Sequence, residues 1–172
     1  MDGYECIQSK LDIRQFRRGE VTFDIQQKIL EAGRLTGSGM NSQHWRFILI
    51  RDRKNLKKLA EDSTSGNWVA ETSFAIILLT NHRYEFHLID AGRAAQNMQL
   101  AAWNFGLISC IFTGIKEESL RIDFNLPREL NASLVIGFGY PEKKLLGNKK
   151  NRKPLIEIAF LEKYGIPIIE QK

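Results

Sequence analysis

The sequence predicts one layered α+β domain in which a β-sheet is flanked by helices. SFAIILLT, at residues 73–80, is an almost uninterrupted apolar run, which is typical of a central strand covered on both faces. Residues 86–105 repeat apolar positions at three- and four-residue spacing, which indicates a long amphipathic helix. Strand and helix patterns alternate along 172 residues, a length that favours a single domain.

The other elements follow from apolar spacing and from cap and turn residues. Four further helices are predicted. The first covers residues 3–11, and the second runs from the Thr22 cap to the glycine-containing turn at 36–39. The third begins at the Asp52 cap, and the fourth covers residues 117–124. The further predicted strands are 45–51, 107–112 and 133–138. The sheet should therefore contain four strands. Small residues within 90–102 would let another helix approach closely, either within the chain or from a second copy.

Charge and cysteine content restrict the class of protein. The chain has 25 Lys and Arg against 20 Asp and Glu, which suits a phosphate-bearing ligand or a nucleic acid. We expect no nucleic acid as partner, because the basic residues are dispersed except near the tail and most aromatic residues lie at core spacings. The two cysteines are far apart, and neither a signal segment nor a membrane-length apolar run is present. We therefore expect a reduced, cytoplasmic protein with no membrane association.

Common nucleotide and metal motifs are missing from the sequence. No GxGxxG follows a strand and there is no Walker A sequence, which argues against a Rossmann site or a P-loop. His44, His82 and His87 lack the spacing of a metal-binding pattern, so we expect no metal site.

Three polar clusters have a simple and a functional interpretation. In the simple interpretation, the first cluster, Lys10, Asp12 and Arg14, consists of isolated surface charges. The second, residues 38–43, is then a strand-entry loop, and the third, the basic run 149–153, is a solvated loop. Taken together, cations from both ends of the chain could instead converge on one phosphate, while the amides of the loop hold a polyol or a heteroaromatic edge. This combination describes a flavin mononucleotide (FMN) site.

The chain resembles the FMN-dependent nitroreductases in four segments that occur in family order. These segments are KLDIRQF at 10–16, GSGMNSQHWRF at 37–47, DAGRAAQNMQLAA at 90–102, and GYP at 139–141 followed by KNRKP at 150–154. Together they span nearly the whole chain. Two departures concern the first segment, where Leu11 replaces a basic residue and Asp12 replaces a serine. A carboxylate near a phosphate is unfavourable unless it turns away or pairs with a cation such as Arg14.

The resemblance implies a homodimer with a mixed β-sheet between helices and FMN at the subunit interface. The single domain would cover 1–172, with 141–172 a C-terminal extension that wraps the partner subunit. Lys10, Lys150 and Arg152 would bind the phosphate, and Arg14 would lie at the pyrimidine edge, where a cation stabilises charge that develops on reduction. The resemblance also implies cofactor contacts by Leu11 and Asp12, which follow Lys10 in the sequence. Further contacts would come from the other subunit, through Ser38, Gly39 and Asn41. Those near the flavin ring would be Asn67, Thr113 and Gly114.

The activity implied by the resemblance is an FMN-dependent oxidoreductase with NADH or NADPH as co-substrate. A small electron-poor acceptor, such as a nitroaromatic or a quinone, would be reduced in a ping-pong hydride mechanism that needs no catalytic side chain. The alternative is a flavin-binding protein or a flavoenzyme of another reaction class on the same fold, of dehalogenase or flavin-fragmenting type. His44 replaces the proline that is usual in the family loop.

Overall fold

The computed structural model describes residues 1–143 and 150–168. Within these ranges the α-helices are α1 Gly3–Ser9, α2 Phe23–Arg34, α3 Arg53–Glu61, α4 His87–Asn104 and α5 Glu117–Asp123. The strands are β1 Phe16–Arg17, β2 Arg46–Ile50, β3 Phe74–Thr80, β4 Ile108–Phe112 and β5 Asn131–Pro141. Short 3₁₀ turns occupy Gly39–Asn41, Asn67–Glu71 and Leu155–Glu157. The predicted α+β class is confirmed.

The sheet is built around β3 and β5. These strands pair with each other, β2 extends the sheet beyond β3, and both β4 and the short β1 pair with β5. All these pairings are antiparallel, and among the described residues the parallel component of the sheet is the single bridge between Asp12 and Ser109. This bridge attaches the segment after α1 to β4.

Helices cover both faces of the sheet. Alternate residues of β3 point to opposite faces, so Ile76 and Leu78 join the core under α2 and α4, whereas Ile77 and Leu79 join the core under α3 and α5. Every residue of β3 is buried. The prediction of a central strand covered on both faces is therefore confirmed.

The small residues of α4 serve packing within the chain. Ala91, Ala94, Ala95 and Ala102 are buried, and α4 packs closely against α2. A Cβ atom added to Gly33 of α2 would collide with the Cε methyl of Met98, so this glycine allows the close approach of the two helices. Intrachain packing is thus the correct interpretation for these alanines.

Several element boundaries and inward-facing residues differ from the prediction. β1 was not predicted, β5 is longer than 133–138, and α1 ends at Ser9. Ile7 of α1 and Leu88 of α4 are exposed, although their apolar side chains and helical spacing favour a buried face. Thr22 occupies the cap position of α2 without a side-chain hydrogen bond, whereas Asp52 caps α3 by accepting from two backbone N–H groups. No helix in the described part of the chain has the length and apolar character needed to span a membrane.

Candidate functional site

The first polar cluster begins where α1 ends. The Lys10 N–H donates to the Cys6 carbonyl, and the chain then runs in an extended conformation along β4, where the Ile13 N–H donates to the Ser109 carbonyl at 3.2 Å. The bridge between Asp12 and Ser109 fixes the register. Side chains two residues apart along this extended segment lie on the same side, which groups Lys10, Asp12 and Arg14.

Asp12 is held by two donors. The Lys10 Nζ atom lies 2.7 Å from Asp12 Oδ1, and Gln99 Nε2 donates to the same oxygen at 2.9 Å and to Ser109 Oγ at 3.1 Å. Burial acts to raise the pKa of Asp12, but the hydrogen bonds from Lys10 and Gln99 and the charges of Lys10 and Arg152 outweigh it and hold the pKa below its usual value. Asp12 therefore pairs with Lys10, not with Arg14 as the sequence suggested.

The basic tail reaches the same place from the other end of the chain. Lys150 Nζ donates to the Ile7 carbonyl of α1, which places residues 150–152 beside the first cluster. Burial lowers the pKa of Lys150, and the positive charges of Arg152 and Lys10 lower it further, which shows that three cations lie close together. Lys149, which opens the predicted basic run, lies outside the described residues. The structure thus brings Lys10, Lys150 and Arg152 together around Asp12.

Arg14 lies at the end of this segment that is farther from α1, above an aromatic surface. Its Nε donates to Cys110 Sγ at 3.4 Å, and its guanidinium carbon lies 5.8 Å from the centre of the Trp68 ring. Trp68 in turn stacks on Phe16 and contacts the Phe112 ring edge to face. The cation is therefore fixed from two sides, by a thiol and by an indole.

The looser predictions, Asn67, Thr113 and Gly114, fall in the neighbourhood of Trp68. Asn67 is exposed and immediately precedes Trp68, and Thr113 is exposed directly after β4. The Gly114 carbonyl accepts from the Thr64 N–H at 2.8 Å, and a Cβ atom at Gly114 would lie 2.5 Å from Ser65 Oγ. Gly114 therefore permits close backbone contact here. Leu11 is only partly buried and has no polar group to offer a ligand.

The polar loop 38–43 has an unusual backbone. Met40, Asn41 and Gln43 have positive φ values of 50°, 53° and 47°, in the left-handed region. This region costs a residue other than glycine roughly 1–2 kcal/mol, less for asparagine. The Gln43 N–H donates to Ser38 Oγ at 3.0 Å, and Gln43 Nε2 donates to Asn41 Oδ1 at 3.2 Å. The loop is therefore an ordered turn with exposed polar groups.

The loop is attached to the first turn of α4. The Gly39 N–H donates to Asp90 Oδ2 at 3.0 Å, and His44 Nε2 lies 3.3 Å from the same oxygen. Asp90 Oδ1 also pairs with Arg93 at 3.6 Å. A carboxylate in the first turn of a helix is favoured by the helix dipole.

Within one chain the loop and the cation cluster lie apart. The loop is bound to Asp90 and the cluster to Gln99, nine positions later on α4. Nine residues of α-helix correspond to about 13 Å along the axis and about two and a half turns, so the two attachment points lie on opposite faces of the helix. The structure confirms convergence of the chain ends but does not bring Ser38, Gly39 and Asn41 to the same place.

Three residues that hold these groups were not predicted as site residues from the sequence. Gln99 and Asp90 lie inside the DAGRAAQNMQLAA segment, and both are buried polar residues on a helix that otherwise buries alanine and methionine. A polar residue at a buried helical spacing was the available signal for both. Trp68 carried no signal, because its position above Arg14 depends on the tertiary fold.

Comparisons of sequence and of fold with known proteins give consistent matches. The Nitroreductase family matches residues 7–83 and 74–140. A protein of Methanothermobacter thermautotrophicus provisionally named NADH dehydrogenase/NAD(P)H nitroreductase is 32% identical over 150 residues, covering 82% of this chain and 78% of that protein. A Clostridium acetobutylicum structure provisionally named NADH oxidase is 28% identical with a TM-score of 0.83, covering 92% of this chain and 99% of that one.

The fold is also shared with a structure that is named for its cofactor. An FMN-dependent nitroreductase from Clostridium difficile superposes with a TM-score of 0.83 at 21% identity, covering 92% of this chain and 98% of that one. This likeness concerns the fold. The family match covers more than half of the chain and the archaeal relative exceeds 30% identity. The chain therefore belongs to the nitroreductase family and is an oxidoreductase.

Proposed function

We propose that the chain binds FMN and uses NADH or NADPH to reduce small electron-poor acceptors such as nitroaromatics and quinones. The observation that carries this proposal is the convergence of Lys10, Lys150 and Arg152, from opposite ends of the chain, at one surface site. A site with three cations and one carboxylate has an excess of positive charge. Such a site suits the phosphate of a mononucleotide.

The donor set fits a phosphate. Arg152 is exposed and its NH1 donates to its neighbour's carbonyl, so the rest of the guanidinium fork is available for a bidentate contact. Lys150 experiences repulsion from Arg152 and Lys10, which an added anion would relieve. Because Asp12 is satisfied by Lys10 and Gln99, its carboxylate would oppose the phosphate less than a free carboxylate would.

The surface around Arg14 fits the ring system of the same cofactor. When bound, FMN supplies the two-electron chemistry that links a nicotinamide to an acceptor. In our proposal Arg14, held by Cys110 and Trp68, places a fixed positive charge at the pyrimidine edge. A charge that is fixed in advance needs no reorganisation during the reaction. Asn67 and Thr113 would supply exposed polar groups beside the ring.

We further propose that the complete site needs two copies of the chain. The loop with Ser38, Gly39 and Asn41 lies on the opposite face of α4 from the cations, so it would contact FMN bound to the partner subunit. The segment 150–168 supports an extended homodimer, because its large apolar residues are exposed, including Leu155 at 67% and Ile158 at 60%. Apolar surface of this extent normally marks an interface. The extension 141–172 would cover it by wrapping the partner.

The test is reconstitution with FMN, measured by flavin absorbance after desalting and by sedimentation of the same samples. We expect the wild type to retain FMN as a dimer and Arg152→Ala to lose it. Arg128→Ala is the matched control, because it removes an exposed arginine from the connection between α5 and β5 and should leave binding unchanged.

Turnover distinguishes the proposal from its alternative. At low oxygen, loaded protein should oxidise one equivalent of NADH or NADPH per flavin, and it should oxidise more only when a quinone or a nitroaromatic is also present. Retention of FMN without such turnover would favour another flavin reaction class. Wild-type protein that cannot be loaded with FMN would refute the proposal.

A further inference from the structure

The conformation of the loop after Gly39 requires support from outside the loop. The backbone of Met40 is in the left-handed region, and its side chain is 83% exposed. A methionine side chain makes no local hydrogen bond that would stabilise this backbone conformation. Residues in such conformations persist when the surrounding structure fixes them, and they are often found at ligand sites. The support must therefore come from the residues beneath the loop.

The support is a buried group of polar atoms around His44. Its side chain is 2% exposed, stacks on Tyr84 at a ring distance of 4.9 Å, and approaches Asp90 Oδ2 at 3.3 Å through Nε2. The Asn81 N–H points to His44 Nδ1 at 3.4 Å. Asp90 Oδ2 also receives the Gly39 N–H, so this oxygen links both ends of the loop. A Cβ atom at Gly39 would lie 2.6 Å from the Phe86 ring, which closes the other side.

These contacts define the tautomer of His44. A backbone N–H can only donate, so Nδ1 accepts from Asn81 and carries no proton. Nε2 then carries the proton and donates to the carboxylate of Asp90. An imidazolium would lose the contact with Asn81, and a side chain without a donor would leave Asp90 with fewer partners in a buried place.

We propose that His44, as the neutral Nε2–H tautomer, is a positioning residue that holds the loop 38–43 in its ligand-ready conformation through Asp90. That the ligand is FMN rests on the proposed function above. His44 is buried and does not touch the ligand itself. It fixes the loop so that the polar side chains of Ser38 and Asn41 are held in one arrangement before the ligand arrives.

The first test needs no variant. Nitrogen NMR of the cofactor-free protein near neutral pH should show His44 with a protonated Nε2 and a bare Nδ1. A predominant Nδ1–H tautomer, or an imidazolium, would overturn the proposal, because neither could accept from the Asn81 N–H.

The second test compares His44→Phe with His44→Gln. Phenylalanine keeps the planar ring and removes both hydrogen bonds, whereas the glutamine amide can still donate to Asp90. We expect His44→Phe to speed hydrogen exchange of the Gly39 N–H and to weaken FMN binding, each by roughly tenfold or more, the range for a hydrogen bond to a charged group. His44→Gln should recover most of both losses. His82→Gln, which changes an exposed histidine, is the control and should change neither.

The two readouts separate this inference from the proposed function. If His44→Phe folds and leaves both Gly39 exchange and FMN affinity unchanged, His44 does not position the loop. If wild-type protein fails to bind FMN, the proposed function is refuted, and Gly39 exchange still decides whether His44 holds the loop. If His44→Phe does not fold, His44→Gln and the tautomer decide: fast Gly39 exchange in His44→Gln, or the Nδ1–H tautomer in the wild type, would refute the role.

Discussion

Replacing Asp12 by asparagine should strengthen FMN binding. The substitution keeps an oxygen that can accept from Lys10 and Gln99, which now bind Asp12 Oδ1 at 2.7 and 2.9 Å, and it removes only the charge. The neighbouring cations are then opposed by no carboxylate in this cluster. Asp12→Asn therefore isolates the electrostatic effect of Asp12 from its role in holding Lys10.

The size of the effect follows from the geometry of Lys10. If the Asp12 oxygen and a phosphate oxygen both accept from one ammonium at about 2.8 Å, the tetrahedral angle places them about 4.6 Å apart. Two unit charges at that distance repel by about 0.9 kcal/mol at the dielectric constant of water, the appropriate limit because the Asp12 side chain is 55% exposed. For a phosphate charge of about −1.5 to −2, screened at physiological salt, about 1 kcal/mol remains. This corresponds to about fivefold in Kd.

The assay is fluorescence titration of FMN at low, physiological and about 1 M salt. The ratio of wild-type to Asp12→Asn dissociation constants should be about five at physiological salt, larger at low salt and near one at high salt. Asp24→Asn, which neutralises an exposed aspartate on α2, should bind like the wild type at every salt concentration. Equal or weaker binding by Asp12→Asn would refute the reasoning and show that the charge of Asp12 is needed to orient Lys10.

Two further predictions concern stability. Gly33→Ala should destabilise the fold by about 1 kcal/mol, because overpacking against Met98 costs about 1–3 kcal/mol and the gain in helix propensity offsets about 1 kcal/mol of that cost. Urea titration should show that this loss of stability disappears in a Met98→Ala background. An equal loss in that background would contradict the packing argument. Burial lowers the pKa of His87, so the folded state binds fewer protons than the unfolded state as the pH falls through about 6.5. Stability should therefore fall as the pH is lowered through this range, and His87→Gln should flatten the fall in urea midpoints, whereas an unchanged slope would assign it to other groups.

Sequence patterns predicted the elements that bury one continuous face. α3, with Leu56, Leu59 and Ala60 buried, and β3, buried along its length, were predicted because burial imposes a period on the sequence. β1 has only two residues and no period to detect. Its pairing with the end of β5 is a tertiary event, which also explains why β5 extends past the predicted 133–138.

The candidate site divides in the same way. The convergence of the cations could be predicted only by considering both chain ends together, because each basic cluster alone is also consistent with solvated surface charge; the anion that they would bind stays a prediction. The partner of Asp12 was not, since Lys10 and Arg14 are both two residues away and the choice depends on which side Gln99 approaches. The alanines of α4 could have faced either α2 or a second copy, and only the position of Met98 against Gly33 decides between them.

α4 sets the dimensions of the candidate site through two buried polar residues. Asp90 at its start holds the loop, and Gln99 holds the segment with the cations. Their spacing places the two attachment points about 13 Å apart along the helix axis and on opposite faces. In our proposal, a ligand that uses both lies between two copies of the chain. Each copy would then supply the cations to one ligand and the loop held by Asp90 and His44 to another.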